Sequence, residues 1–437
     1  MLSISCLAPL SRAVVTAGCA LLLSLAAPGS AVAADPVAAG QVMVKLRSSA
    51  DLPALLARHG LTLGARFGAR PIYRLHLIGD AVLDEKIAAL QADPAVLLAE
   101  ANAQHTSPEA RKNLVWLIGE PQDYATQWAP AALRLDYALK RSQGSGVRVA
   151  VLDTGVDRLH PRLATRLLPG YDFVDGDTDP SEQGAPGLGG FGHGTHVAGI
   201  VAMVAPRAMI MPLRVLDEHG QGDAWVVGEA LLYAVDPDGN PATDDGAQVI
   251  NLSLGTINPT DLMGELAALA TCSFVLAPDP LADFTDAGYD DDRQRCGTRP
   301  GAGVVAAAGN GASSRERQYP AAEGAYGLVP VAATQQGQRL ADFSNHGGWI
   351  ELAAPGDQIT STLPGGGYGV WGGTSMAAPM VAGVAALLRA REPSLDARQV
   401  ARRLERRSAG LCGTQRQRQL DAAAVLGAAL PSDPACP

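Results

Sequence analysis

Aromatic residues make up only 5% of the 437 positions, and lysine occurs only at Lys45, Lys86, Lys112 and Lys140. So few aromatics argue against stacking platforms for single-stranded nucleic acid. Positive charge is also scarce: 34 Lys plus Arg face 44 Asp plus Glu, a formal net charge of −10. A surface built to grip phosphate backbones carries the opposite balance, so nucleic acid is excluded as a main partner. Gly (49) and Pro (30) are plentiful but not periodic, which excludes collagen and disfavours coiled coil. No internal repeat, low-complexity tract or Cys/His zinc spacing occurs. Charged residues at 18% against 47% hydrophobic exclude wholesale disorder. The length admits two or three units with a large buried core.

Long apolar runs are missing after the first thirty residues. Residues 376–388 are too short to span a bilayer, contain Pro379 and Gly383, and read as a buried core helix. At the N-terminus, Arg12 precedes an apolar stretch from Ala13 to Ala27, followed by Ala31-Val32-Ala33. That order reads as an export signal over residues 1–34, cut near Ala33 or Ala34. The expected location is therefore secreted or periplasmic, with no membrane span after signal removal. Removal takes Cys6 and Cys19 and leaves Cys272, Cys296, Cys412 and Cys436. An even count in an exported chain favours disulfides. Three pairings are open. The local one, Cys272 with Cys296 and Cys412 with Cys436, is the expectation because each pair brackets one irregular segment.

Residues 41–48 and 71–78 alternate apolar and polar, as half-buried strands do. Helices are expected at 51–59, with Asp51 as N-cap, and at 81–92. An apolar strand follows at 95–100. Residues 41–105 thus read as a small β-α-β-α-β unit, and 106–125 as a linker or processing stretch. From about residue 145, short apolar runs at 147–152, 208–216, 247–252, 302–308 and 328–333 alternate with helical stretches at 193–204, 223–235 and 261–271. This predicts an α/β fold: three layers, with helices on both faces of a doubly wound, mostly parallel sheet. Sites in such folds lie at the carboxyl ends of the strands.

Four segments place a polar group at a glycine-flanked turn. In Val149-Ala150-Val151-Leu152-Asp153-Thr154-Gly155 a buried strand ends in a carboxylate; in Phe191-Gly192-His193-Gly194-Thr195-His196 a histidine opens a helix. In Gly372-Gly373-Thr374-Ser375-Met376 a serine starts the core helix; in Ala306-Ala307-Ala308-Gly309-Asn310 a strand ends in an amide. Singly, each is an ordinary cap or turn residue. Together they suit acyl transfer. A serine hydroxyl needs a base, imidazole titrates near neutrality, and a carboxylate fixes the imidazole's tautomer and supports its charge. Asn310 and the N–H of Ser375 could hold an oxyanion.

With these residues in the order Asp, His, Ser, the chain closely resembles the subtilisin-like (subtilase) family of serine peptidases. The resemblance covers about 128–425 and rests on DTGVD, GHGTHVAG, NLSLG, AAAGN and GTSMAAP together. It implies Asp153, His193 and Ser375 as triad and Asn310 as oxyanion donor. It also implies that an extended peptide pairs with Ser253-Leu254-Gly255 on one side and Gly220-Gln221-Gly222 on the other. The 41–105 unit resembles the family's inhibitory propeptide, of ferredoxin-like α+β type. The expected organisation is therefore signal 1–34, propeptide 35–112 and peptidase 113–437. The expected partners are a polypeptide substrate and the chain's own propeptide, and the expected state is a monomer. The rival readings are a non-catalytic peptide-binding relative and a processing peptidase of narrow specificity.

The implied chemistry needs no metal or organic cofactor. The family's calcium loop after the histidine helix is not carried over, because Met203-Val204-Ala205-Pro206 leaves no room for it. Residues 236–246 offer alternating oxygen ligands and could hold structural calcium, although an acidic surface turn is the plainer reading. Residues 272–296 carry Asp279, Asp283, Asp286, Asp290, Asp291 and Asp292, either a rim for basic substrates or a solvated loop pinned by a disulfide. His196 reads as structural, and Asp157 as shaping the loop after the first strand.

Overall fold

The computed structural model describes residues 36–109, 117–275, 287–412 and 417–428. The export signal, Asp279, Asp283, Asp286, Cys436 and the expected boundary at 112/113 lie outside the described residues.

The N-terminal unit runs β1 (Val37–Leu46), α1 (Leu52–His59), β2 (Leu61–Arg66), β3 (Ile72–Leu77), α2 (Leu83–Gln91), β4 (Val96–Thr106). It holds one strand more than the apolar pattern predicts. β2 (LTLGAR) begins one residue after α1 ends, so no polar loop marks its start; it pairs with β3 across a register shift at Leu63/Ala65. Asp51 makes no side-chain cap, and instead Ser48 accepts the Ala50 N–H of the preceding turn. The second half of β1 is buried on both faces, because its own unit's core covers one and the following unit covers the other. Val42, Val44 and Leu46 pack among Leu55, Leu75 and Leu90 of their own unit. Met43 and Lys45 point the other way, Met43 into a core shared with the next unit and Lys45 onto Glu265 at 2.8 Å.

The next elements are β5 (Leu117–Gly119), α3 (Pro121–Thr126), α4 (Trp128–Ala132), α5 (Leu135–Leu139), β6 (Arg148–Asp153), β7 (Tyr171–Asp172), α6 (His193–Val204), β8 (Met209–Arg214), β9 (Gln221–Asp223) and α7 (Ala224–Val235). The stretch expected to be a linker thus holds β5 and α3. Then come β10 (Val249–Leu252), α8 (Asp261–Ala270), α9 (Asp290–Thr298), β11 (Gly303–Ala307), β12 (Leu328–Gln335), β13 (Arg339–Leu340), β14 (Leu352–Pro355), β15 (Ile359–Leu363), β16 (Gly367–Trp371), α10 (Thr374–Arg391) and α11 (Ala397–Arg406). The main sheet orders these strands β14-β12-β11-β10-β6-β8-β7, all parallel.

Successive side chains of a strand face opposite ways, so these buried strands feed two cores. Val149, Val151, Val305 and Ala307 meet α6 and α10. Ala150, Leu152, Ile250, Val304 and Ala306 meet α7 and α8. This is the predicted three-layer, doubly wound, mostly parallel α/β fold. Cys272 and Cys296 are joined, as expected from their local spacing. Cys412 is also disulfide-bonded. Asp292 turns inward rather than forming a rim for basic substrates. It is 2% exposed and holds Arg70 of the N-terminal unit at 2.7 Å.

No helix among the described residues is long and apolar enough to cross a membrane. α10 carries Pro379, which has no N–H to give the carbonyl of residue 375. Ser253 Oγ donates to that carbonyl instead, at 2.9 Å, and itself accepts from Asn251 Nδ2. The break in the helix ladder thereby ties the start of α10 to the end of β10.

Candidate active site

Asp153 ends β6 at the carboxyl edge of the sheet, and its Oδ1 accepts the Thr154 N–H at 2.8 Å. His193 opens α6, and its Nδ1 lies 2.6 Å from the same Oδ1. Gly194 permits that contact: a Cβ there would stand 2.1 Å from Gly155 O, so a side chain would push the helix off the strand end. Ser375 is the second residue of α10, where the helix dipole favours negative charge. Asn310 is set by a closed circuit. Its Oδ1 accepts from Thr374 N (2.9 Å) and Thr374 Oγ1 (3.0 Å), and Thr374 Oγ1 accepts from Gly309 N. With the oxygen engaged, Nδ2 faces the cleft.

The structure brings these four residues to one point and places there a fifth that sequence reasoning missed, Glu109. Its Oε2 lies 3.0 Å from His193 Nε2 and accepts from Ser375 Oγ at 2.6 Å; its Oε1 accepts from Asn310 Nδ2 at 2.9 Å. Glu109 is 3% exposed. Burial works against its charge, yet His193, Ser375 and Asn310 hold its pKa below the ordinary value. Burial likewise opposes a charged His193, but Asp153 and Glu109 outweigh it and push its pKa up to about 10. Nothing in the local sequence marks Glu109; only the path of β4 brings it here.

The expected peptide edges flank this point. β9 pairs antiparallel with β4, matching His105 to Gly222 and Thr106 to Gln221. Thr106 exchanges two backbone hydrogen bonds with Gly255, and Ser107 N–H donates to Gly220 O. Gly220, Gly222, Ser253, Leu254 and Gly255 therefore bound a cleft already filled by the N-terminal unit's own strand.

His196 is structural in its contacts. It stacks on Trp371 (4.5 Å, 3°) and its Nε2 lies 3.2 Å from Gly369 O. Burial drives its pKa down to about 3, so it stays neutral. Asp157 shapes its loop through the N–H groups of Leu159 and Gly365. In the 236–246 turn, carboxylate oxygens of Asp236, Asp238 and Asp245 come within 4.8 Å of one another, and Asp238 also holds Asn240 N and Thr243 Oγ1.

A second residue missed from sequence, Glu182, links the turns that carry Asp153 and His193. It accepts from Thr154 Oγ1 and Thr195 Oγ1, both at 2.7 Å. Burial raises its pKa to about 7, with Asp153 adding to the shift. Folding then holds a proton that the unfolded chain has already released. This group's contribution falls as pH rises from the unfolded value, 4.5, through about 7. In a Ser375→Ala background, Glu182→Gln is expected to melt increasingly higher relative to its parent across that window, with the difference level above it. Parallel melting series at pH 4.5, 6, 7 and 8 check this.

A doubly wound, mostly parallel α/β sheet here delivers an aspartate, a histidine, a serine and an amide to one cleft. Residues 144–425 match the model described as Subtilase family, Peptidase_S8, and residues 29–102 match the Fervidolysin N-terminal prodomain. The chain belongs to the subtilase family and carries a prodomain of that type. It is 36% identical over 296 residues to the thermophilic serine proteinase of Bacillus sp. (strain AK1), covering 65% of this chain and 63% of that protein's length. Thermitase of Thermoactinomyces vulgaris is 36% identical over 280 residues, 62% of this chain and 84% of that one. The crystal structure of fervidolysin from Fervidobacterium pennivorans, a keratinolytic enzyme related to subtilisin, gives a TM-score of 0.69 at 23% identity. That likeness covers 91% of this chain and 62% of the other, and bears on the fold.

Proposed function

We propose that the chain is a secreted serine endopeptidase, made as a precursor with signal 1–34 and propeptide 35–112, that removes its own propeptide from the 113–437 peptidase. The observation that carries this reading is the convergence of Asp153, His193, Ser375 and Asn310 on the single point now filled by the Glu109 carboxylate. With a peptide carbonyl there instead, Ser375 Oγ attacks the carbon and His193 Nε2 takes its proton. Asp153 holds Nδ1 and supports the imidazolium. Asn310 Nδ2 and the Ser375 N–H receive the oxyanion. His193 then protonates the leaving amine, and water hydrolyses the acyl-enzyme. All these groups are side chains or backbone N–H groups of the chain itself. The substrate strand lies between Gly220-Gln221-Gly222 and Ser253-Leu254-Gly255, as residues 104–107 do now.

The test is covalent. Protein lacking residues 1–34, freed of its propeptide, is treated with a serine-reactive phosphonate and digested. A single adduct on Ser375, with loss of hydrolysis of a denatured protein substrate, is the expected result. No adduct and no hydrolysis would sink the reading and favour a peptide-binding protein.

A further inference from the structure

In an antiparallel ladder, residues that exchange two hydrogen bonds recur at every second pair. Thr106 and Gly255 form such a pair, so the next would join residue 108 to Ser253. Residue 108 is Pro108, which has no N–H to donate to Ser253 O. Ser253 O lies 3.2 Å from Ser375 Oγ instead. The ladder therefore stops one step short of the nucleophile, and the next side chain, Glu109, fills the site. Gly373 leaves the room for it: a Cβ there would stand 1.7 Å from Glu109 Oε1.

We propose that Glu109 is a built-in stopper, whose side-chain carboxylate occupies the oxyanion position and engages Ser375 and His193, so that the uncut chain rests in an arrangement that must open before the site can hydrolyse. The proposal rests on the peptidase reading and names the regulation of that same site. Three chemical facts support it. A carboxylate is no acyl donor, because attack would have to expel oxide from an anion. His193, bonded to Asp153 through Nδ1 and to Glu109 through Nε2, has no lone pair free to accept the serine proton. Ser375 Oγ spends its own hydrogen on Glu109. The block is a charged group on the nucleophile, the base and the oxyanion donor at once, beyond the strand that fills the cleft.

The experiment follows phosphonate labelling of Ser375 on the uncut chain, separated by gel from any shortened product. Full-length wild type, Glu109→Ala and Glu109→Gln are compared, with propeptide-free protein as the positive control. Removing the carboxylate takes away charge-assisted contacts to His193, Ser375 and Asn310, and the loss of even one such bond is expected to speed labelling of the uncut band by at least about tenfold. The first self-cleavage should quicken in step. Melting curves confirm that each variant is folded, and the glutamine variant preserves shape if alanine disturbs it. Labelling of both uncut variants at the wild-type rate, with the control labelling fast, overturns the stopper: the strand alone then blocks the site. A glutamine variant as slow as wild type beside a fast alanine variant also overturns it, because shape and not charge would be at work. A control that fails to label at all strikes instead at the peptidase reading.

Discussion

Ser375→Ala is expected to lower kcat for peptide hydrolysis by about a millionfold, with KM nearly unchanged, and to leave the precursor at full length. Removing the nucleophile of a triad that acts as a unit costs about as much as removing the whole triad, and what remains comes from binding and oxyanion stabilisation. The substitution should not disturb the fold, because the Ser375 carbonyl still receives Ser253 Oγ and alanine fits within the space that the serine side chain occupies. The measurement is steady-state hydrolysis of a chromogenic peptide by propeptide-free protein, with a mass spectrum of the precursor before and after incubation. A variant within tenfold of wild type would mean that Ser375 does not carry the reaction.

Asn310→Leu is the second large effect. Leucine keeps the branch at Cγ and the number of side-chain heavy atoms and removes the Nδ2 donor that now meets Glu109 Oε1. One oxyanion donor is worth roughly a hundredfold to a thousandfold in kcat, and KM should change little because the donor is used mainly in the transition state. The same change takes away the acceptor for Thr374 N and Oγ1. With two buried donors left without that acceptor, a stability loss of about 2 kcal/mol or more is expected beside the kinetic one. Melting curves and the split between kcat and KM separate the two: a purely structural role would lower active-enzyme content and leave the kcat of the folded fraction alone.

The catalytic candidates were legible because each sits where a buried apolar strand or a core helix meets glycine, and those patterns are local. His193–Val204 opens at the residue the sequence indicates, since Gly192 precedes it and apolar spacing follows. β2 was not legible, because it starts directly after α1 and includes Gly64, which breaks the run. Glu109 and Glu182 were missed for a different reason. Their partners lie 84 and 266 residues away for Glu109, and 13 and 28 residues away for Glu182. A carboxylate in a polar stretch has no periodicity to reveal what it faces. Asp292 shows the converse, an acidic run read as surface in which one member is buried on Arg70 and Arg295.

The pairing of β4 with β9 has a consequence for concentration. Under the proposed function, residues 104–107, while joined to the rest of the chain, compete with any incoming peptide as a tethered ligand. Such a ligand has an effective concentration in the range of about millimolar, whatever the dilution of the protein. One cut between the units removes the tether without altering a single hydrogen bond of the β4–β9 ladder. Occupancy then depends on how much free N-terminal unit is present, so dilution or destruction of that fragment opens the cleft. Activity would appear in two kinetic stages, a first-order scission and a later release that depends on total protein concentration.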